Sequence, residues 1–357
     1  MEFTTCTLLH GNVEMSMEIG GREFVVKMSI DNEKKSVYIC ASTDNTVRMI
    51  FICKKGGKSM IQIKDLTKTF GNTKVLENLN CTIKTGCIYG LIGANGAGKS
   101  TLMRIITGIY QKDSGTITVD GEELIDVAEL KEKIVYVPDD LFFFKHYTIN
   151  GMITFYKNMY SKFDEEYANK LFDLLKLDKT KKIETFSKGM KRQTALILAL
   201  STNAEYMFFD ETFDGVDPVV RNLIKKIIAE KMEDKGCTII VSSHNLRELE
   251  DICDNLGLLY KGGILFESDV DTLKTNMFKI QISLDKEFSK DDFKDFKVLS
   301  FKKTGSVATV IIEGEREKCE EQINAMNPII LDFLPLTLEE IFIYQMEVLG
   351  YEFNQVV

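Results

Sequence analysis

Long hydrophobic runs are missing from this chain of 357 residues. The longest, such as Ala195–Leu200, fall well short of the roughly 20 apolar residues that cross a bilayer as a helix, so no membrane-spanning helix is expected. No apolar stretch follows basic residues at the N-terminus, so no secretory leader is expected. C-x-x-C pairs are absent. The eight cysteines (Cys6, Cys40, Cys53, Cys81, Cys87, Cys237, Cys253 and Cys319) form no metal-like cluster with the three histidines. They read as small core residues of a protein in a reducing compartment. Positive charge is in deficit: a net charge of −9 argues against a general nucleic-acid binder. No guanine-reading N-K-x-D motif is present. What remains is 44% apolar, enough for real cores, at a length that suggests two or three domains.

One stretch organises the rest. Gly93 to Thr101 reads GANGAGKST and fits G-x-x-x-x-G-K-[ST], the phosphate-binding loop of P-loop nucleotidases. The apolar run Cys87–Ile92 predicts a buried strand before it, and Thr101–Ile106 a helix after it. Gly93, Gly96 and Gly98 let the backbone, with Ala94, Asn95 and Ala97 between them, fold into a nest of inward-pointing N–H groups. The helix start adds its positive dipole end and unpaired donors, which suit a phosphate. Lys99 reaches the β- and γ-phosphates, and Ser100 offers a hydroxyl to Mg²⁺.

Before this region, residues 1–59 read as a separate antiparallel meander. Val13–Ile19, Phe24–Ile30, Val37–Cys40 and Val47–Cys53 alternate or run apolar between turn signals at Gly20-Gly21, Asp31-Asn32 and Thr43-Asp44-Asn45. A polar, glycine-rich linker, Lys54–Ser59, follows. From Met60 the pattern alternates strands and helices, with helix expected from Leu141 to about Asn203 and Asp164 as a cap. Tyr206–Phe209 is a buried strand ending in Asp210-Glu211. Beside a P-loop, the first of two such acids orders Mg²⁺ and the second polarises the attacking water. Thr238–Ser242 is another buried strand, leading to His244, which reads as a γ-phosphate contact. Beyond about Ser268 a smaller α+β piece follows, in the strand and helix order of a ferredoxin-like domain. Thr337 and Glu340 there form a capping box.

Over roughly residues 60–268 these pieces resemble the ATP-binding cassette (ABC) family. Gly93–Thr101 matches its Walker A, Phe186–Arg192 (FSKGMKR) its signature, Asp210-Glu211 its Walker B, Asp214–Asp217 its D-loop and His244 its switch histidine. The FSKGM form and the Gly215–Arg221 run look most like bacterial export-type cassettes, which pair one ATPase with a separate permease.

The resemblance implies an α/β fold: a P-loop NTPase of the ABC ATPase type at 60–268, with a helical subdomain at about 141–203. A small β piece (1–59) precedes it and an α+β piece (269–357) follows. It also implies ATP and Mg²⁺ as cofactors, with Glu211, His244 and Lys99 catalytic. Phe70 stacks on adenine, and Val75 joins Gly93–Thr101 in binding ATP. Ser187, Lys188, Gly189 and Asp217 complete the site of a second cassette, in a homodimer or with a paralogue. Ser100, Asp210 and Asp139 stand on the metal side. Asp139 replaces the family's glutamine after Pro138, with one methylene less reach and a negative charge. Lys188 replaces a signature glycine, and Thr212 the usual proline. The implied location is cytoplasmic, on the inner face of the membrane, against an integral permease. Phe142, Phe143, Phe144 and Tyr147 line the groove for the permease or, on the plainer reading, fill the helical subdomain's core. A soluble cassette acting in translation or DNA maintenance is the alternative. It sits less well with one cassette, no long coiled coil and an acidic chain.

Overall fold

The computed structural model describes side chains for residues 60–123 and 132–344, and backbone alone for the strands between residues 3 and 54 and for residues 345–348. Met1–Ser59 and Met60–Val357 form two compact units. The first is a five-stranded antiparallel meander in the order β1-β2-β3-β4-β5. Its strands are β1 (Phe3–Leu9), β2 (Asn12–Ile19), β3 (Arg22–Asp31), β4 (Ser36–Ser42) and β5 (Met49–Lys54). Alternation marks β2 and β3 and apolar runs mark β4 and β5, while β1, FTTCTLL, offers neither. The turns expected at Gly20-Gly21 and Thr43-Asp44-Asn45 lie outside the described residues, as do Asn32 and linker residues 55–59.

The second unit opens with an antiparallel pair, β6 (Met60–Phe70) and β7 (Thr73–Lys84). Then come β8 (Ile88–Ile92), α1 (Lys99–Ile106), β9 (Ser114–Val119), β10 (Glu122–Glu123) and β11 (Ile134–Val137). The helical segment holds α2 (Ile149–Met159), α3 (Glu165–Leu174) and α4 (Lys188–Leu200). It is followed by β12 (Tyr206–Asp210), α5 (Pro218–Lys235), β13 (Thr238–Ser243), α6 (Leu246–Leu249), β14 (Asn255–Tyr260), β15 (Gly263–Asp269) and α7 (Val270–Asn276). A six-stranded sheet runs β11-β12-β13-β8-β14-β15, parallel except for its last pair. A second, antiparallel sheet runs β10-β9-β6-β7.

Continuous apolar strands such as β8, β12 and β13 belong in a parallel sheet covered on both faces. Successive side chains point to opposite faces, so each strand splits between two cores. Tyr89, Leu91, Phe208 and Ile240 face the antiparallel sheet and α1. Ile88, Ile92, Met207, Phe209, Ile239 and Val241 face the core shared with α2 to α5. Cys81, Cys87, Cys237 and Cys253 are buried and free. Burial pushes the Cys81 thiol up to about 12 and Cys87 up to about 11, so both stay protonated core groups. Cys6, Cys40 and Cys53 carry no described side chain.

Side-chain caps fix the helical segment: Thr148 Oγ1 accepts from Gly151 N at 3.2 Å, Asp164 Oδ1 from Tyr167 N at 2.9 Å and Ser187 Oγ from Met190 N at 3.2 Å. Helix does not begin at Leu141, as the pattern suggests. Residues 141–147 are irregular, because Thr148 starts α2 eight residues into the expected stretch. Phe142 there is 80% exposed, while Phe144 packs edge-on to Phe155 at 5.1 Å.

The C-terminal part carries β16 (Met277–Ser283), β17 (Lys297–Thr304), β18 (Val307–Glu313), α8 (Arg316–Asn324), β19 (Ile330–Leu334) and α9 (Leu338–Val348). Its sheet order, β17-β18-β16-β19, all antiparallel, is the ferredoxin-like one. A short 3-10 turn, Lys290–Phe293, replaces the first crossover helix. Thr337 and Glu340 make the expected box, with Glu340 N donating to Thr337 Oγ1 at 3.2 Å and Thr337 N to Glu340 Oε2 at 3.1 Å.

Candidate active site

Parallel register brings the strand ends together: Asp210 lies opposite Ser242, and Ser243 opposite Ile92. Open α/β sheets take ligands beyond these carboxyl ends. The loop after β8, the acids after β12 and His244 after β13 therefore converge.

The loop turns on glycines that other residues would strain. Gly96 and Gly98 have φ of 83° and 111°, and a Cβ on Gly93 would lie 2.5 Å from the Leu259 carbonyl oxygen. Lys99, 5% exposed, folds back across the loop. Its Nζ donates to the carbonyl oxygens of Gly93 at 2.6 Å and Ala94 at 3.2 Å, and lies 3.0 Å from Glu211 Oε1. Ser100 and Thr101 are half-buried in the first turn of α1.

Asp210 is fully buried, its oxygens satisfied by neutral hydroxyls: Ser242 Oγ donates to Oδ1 at 2.6 Å and Tyr136 to Oδ2 at 3.0 Å. Burial, then the Asp210 charge, push the Tyr136 phenol well up, so it stays a donor. Glu211 has φ 48°, a left-handed conformation costing a non-glycine residue about 1–2 kcal/mol. Both its main-chain groups are tied. Its N–H donates to Ser242 Oγ at 3.0 Å, and its carbonyl accepts from Arg192 Nη1. Its Oε2 lies 2.8 Å from His244 Nδ1. A carboxylate held between a lysine in a phosphate loop and a histidine can take a proton from water beside a bound phosphate.

Comparison with known proteins agrees. Residues 76–214 match the family model described as ABC transporter. The ABC transporter ATP-binding protein YtrB of Bacillus subtilis is 31% identical over 284 residues, 80% of this chain and 97% of that one. The chain belongs to the ABC transporter ATP-binding family. The lantibiotic transport ATP-binding protein SrtF of Streptococcus pyogenes is 33% identical over 232 residues, 64% of this chain and 99% of that one. A solved structure described as the ATP binding subunit of an ABC transporter superposes with TM-score 0.55 at 27% identity, covering 60% of this chain and 92% of that one. The protein is thus an ABC ATPase: it binds and hydrolyses ATP.

Within this ABC ATPase the other expected residues lie as follows. Phe70 ends β6, half open, with the Tyr110 ring edge-on at 5.5 Å and Lys68 Nζ 5.2 Å from its centre. Val75 flanks Gly98. Ser187, Lys188 and Gly189 start α4. Lys188 Nζ donates to Asp214 Oδ2 at 2.8 Å, which holds the Asp214 carboxyl below the usual range. Gly189 sits against Gly215, where a Cβ would come 3.1 Å from the carbonyl oxygen. Asp217 caps α5, accepting from Val219 N at 2.9 Å. Asp139 turns its carboxylate to Arg192, 2.6 Å away. Sequence reading missed Arg192, Ser242 and Tyr136. The available signal was positional: Ser242 is a polar residue closing an apolar strand, and Tyr136 stands on the strand flanking Asp210.

Gly98 gives a direct check on the loop. An alanine there would meet Leu76 Cδ2 at 2.8 Å and the Val75 carbonyl oxygen at 3.1 Å, at a φ that strains it in any space. Such strain costs about 1–3 kcal/mol. Gly98→Ala is expected to weaken ATP binding about tenfold or more, measured by titration with a fluorescent ATP analogue, with thermal unfolding as the control for folding. Unaltered affinity would show that the loop does not need this backbone.

Proposed function

We propose that this protein is the ATP-hydrolysing subunit of an exporter, working with a separate integral membrane permease on the cytoplasmic face of the membrane. The observation that carries it is the placing of Glu211: its N–H, carbonyl and Oε2 are held by Ser242, Arg192 and His244, and Oε1 is left facing Lys99 of the phosphate loop at 3.0 Å. Lys99 neutralises the β- and γ-phosphates. Glu211 accepts the proton of the attacking water, and His244 orients the carboxylate and contacts the γ-phosphate. Phe70 and Val75 bound the base side.

The donor set fits a hard divalent cation: Asp210 presents a buried carboxylate and Ser100 a hydroxyl in the first turn of α1. Mg²⁺ held by them would screen the phosphate charge. Asp139 has one oxygen, Oδ1, engaged by Arg192. Ser187, Lys188, Gly189 and Asp217 lie at the starts of α4 and α5, where a second cassette, identical or paralogous, would offer its own nucleotide. Among the described residues no helix is long and apolar enough to cross a membrane. Relatives named for lantibiotic transport, bacitracin transport and linearmycin resistance support a transport role, and the net charge of −9 disfavours a nucleic-acid partner.

The test is reconstitution. The tagged protein should co-purify from membranes with a multi-span partner, and the pair in liposomes should turn over ATP faster than the ATPase alone. Recovery on ribosomes or DNA, with turnover indifferent to membrane proteins, would favour the soluble alternative.

A further inference from the structure

Arg192 lies in α4, one turn past the signature serine, and is 1% exposed. A buried guanidinium needs partners for its donors. Arg192 Nη1 donates to the Glu211 carbonyl oxygen. Nη2 lies 2.6 Å from Asp139 Oδ1 and 3.5 Å from Asp214 Oδ2, while Nε has no partner among the described residues. Asp214 is already engaged by Lys188 at 2.8 Å. Asp139, just after β11 and Pro138, is therefore the closest counter-charge of this cation, at the same Nη2 that Asp214 approaches from farther off. The pair is buried only at its arginine end, since the Asp139 side chain is 53% exposed; removing the carboxylate leaves a buried cation with Asp214 as its remaining, more distant counter-charge.

We propose that Asp139 is a positioning residue: through Arg192 it fixes the main chain of Glu211, instead of binding the metal. The inference rests on Glu211 being the residue that activates water. The carbonyl that Arg192 holds belongs to the left-handed residue whose N–H is tied to Ser242. With Asp139 in place the guanidinium is held at both Nη1 and Nη2 and Glu211 keeps its aim at Lys99 and His244. Without it, Arg192 can swing to Asp214, and the Glu211 carbonyl loses its donor. The departure from the family's glutamine then has a local reason, because a neutral amide would leave Arg192 short of charge.

Two measurements on the full chain test this. Steady-state ATPase assays of Asp139→Asn and Asp139→Glu would vary ATP and Mg²⁺ separately. Hydrogen exchange on nucleotide-free protein would follow the amides of residues 211–216. Asp139→Asn is expected to lower kcat about tenfold, the scale of one lost charge-assisted hydrogen bond, with KM for ATP and half-saturating Mg²⁺ unchanged. Asp139→Glu should recover most of the rate. Exchange at 211–216 should quicken in Asp139→Asn. In an Arg192→Lys background, Asp139→Asn should add little. A rise in half-saturating Mg²⁺ with kcat intact at saturation would overturn the proposal and return Asp139 to the metal. Unchanged exchange together with unchanged kcat would also overturn it. A wild type without ATPase activity would remove the catalytic reading itself, and the exchange comparison would still decide whether Asp139 holds the Glu211 segment.

Discussion

Lys99→Ala should abolish tight ATP binding, with affinity falling about 100-fold or more, equivalent to about 2.7 kcal/mol. Lys99 is the single lysine of the Gly93–Thr101 loop, and its ammonium lies among main-chain carbonyls rather than in solvent. Alanine leaves the glycine nest and the helix start, which supply partial charges only, to face several phosphate charges. It also leaves Glu211 beside the phosphates with its nearest cation gone, so the remaining field opposes the anion. Titration calorimetry with ATP and Mg²⁺ checks this. Wild-type affinity and turnover in the variant would remove the phosphate-loop assignment.

Glu211→Gln should keep ATP binding and stop hydrolysis, with turnover down on the order of 10²–10⁴-fold, the usual contribution of a general base. The amide is nearly the same shape and can still hydrogen-bond His244 at the position now 2.8 Å away, but it cannot accept a proton. The geometry adds a further expectation. In the wild type the Glu211 carboxylate draws on the charge of Lys99 at 3.0 Å. Removing it leaves Lys99 to the phosphates, so ATP affinity should hold or rise. With hydrolysis blocked, an ATP-bound dimer should accumulate, seen as an earlier peak in size exclusion with ATP and Mg²⁺. Near-normal turnover would move the role of base to His244.

Local chemistry accounts for what was legible in the sequence. The phosphate loop, the acids closing β12, the cap at Asp164 and the box of Thr337 with Glu340 all depend on residues a few positions apart, so spacing alone reveals them. Alternation showed β2 and β3, and apolar runs β4 and β5, for the same reason; both signals failed at β1, where threonines blur the pattern. The aromatic run at Phe142–Phe144 looked helical because apolar density does not reveal where a helix starts; Thr148 and its bond to Gly151 set that boundary. The setting of Asp139 was out of reach. Its partner lies 53 residues along the chain, and only the pairing of β11 with β12 and the packing of α4 bring them together. Motif reasoning placed Asp139 by analogy with a glutamine that carries no charge to pair.

The seam between the last helix and the catalytic sheet bears on how this protein can be cut and recombined. Leu338, Ile341 and Phe342 of α9 are fully buried in the core that also holds Ile92 and Val241, and Phe266 meets Phe342 edge-on at 5.4 Å. Arg247, three residues past His244, reaches Glu339 at 2.9 Å. The tail is thus a wall of the engine rather than cargo hung from it. A chain ended near residue 269 would open an apolar hole behind the strands that carry the nucleotide loop and the histidine. A tail borrowed from a relative would have to refill that hole side chain by side chain.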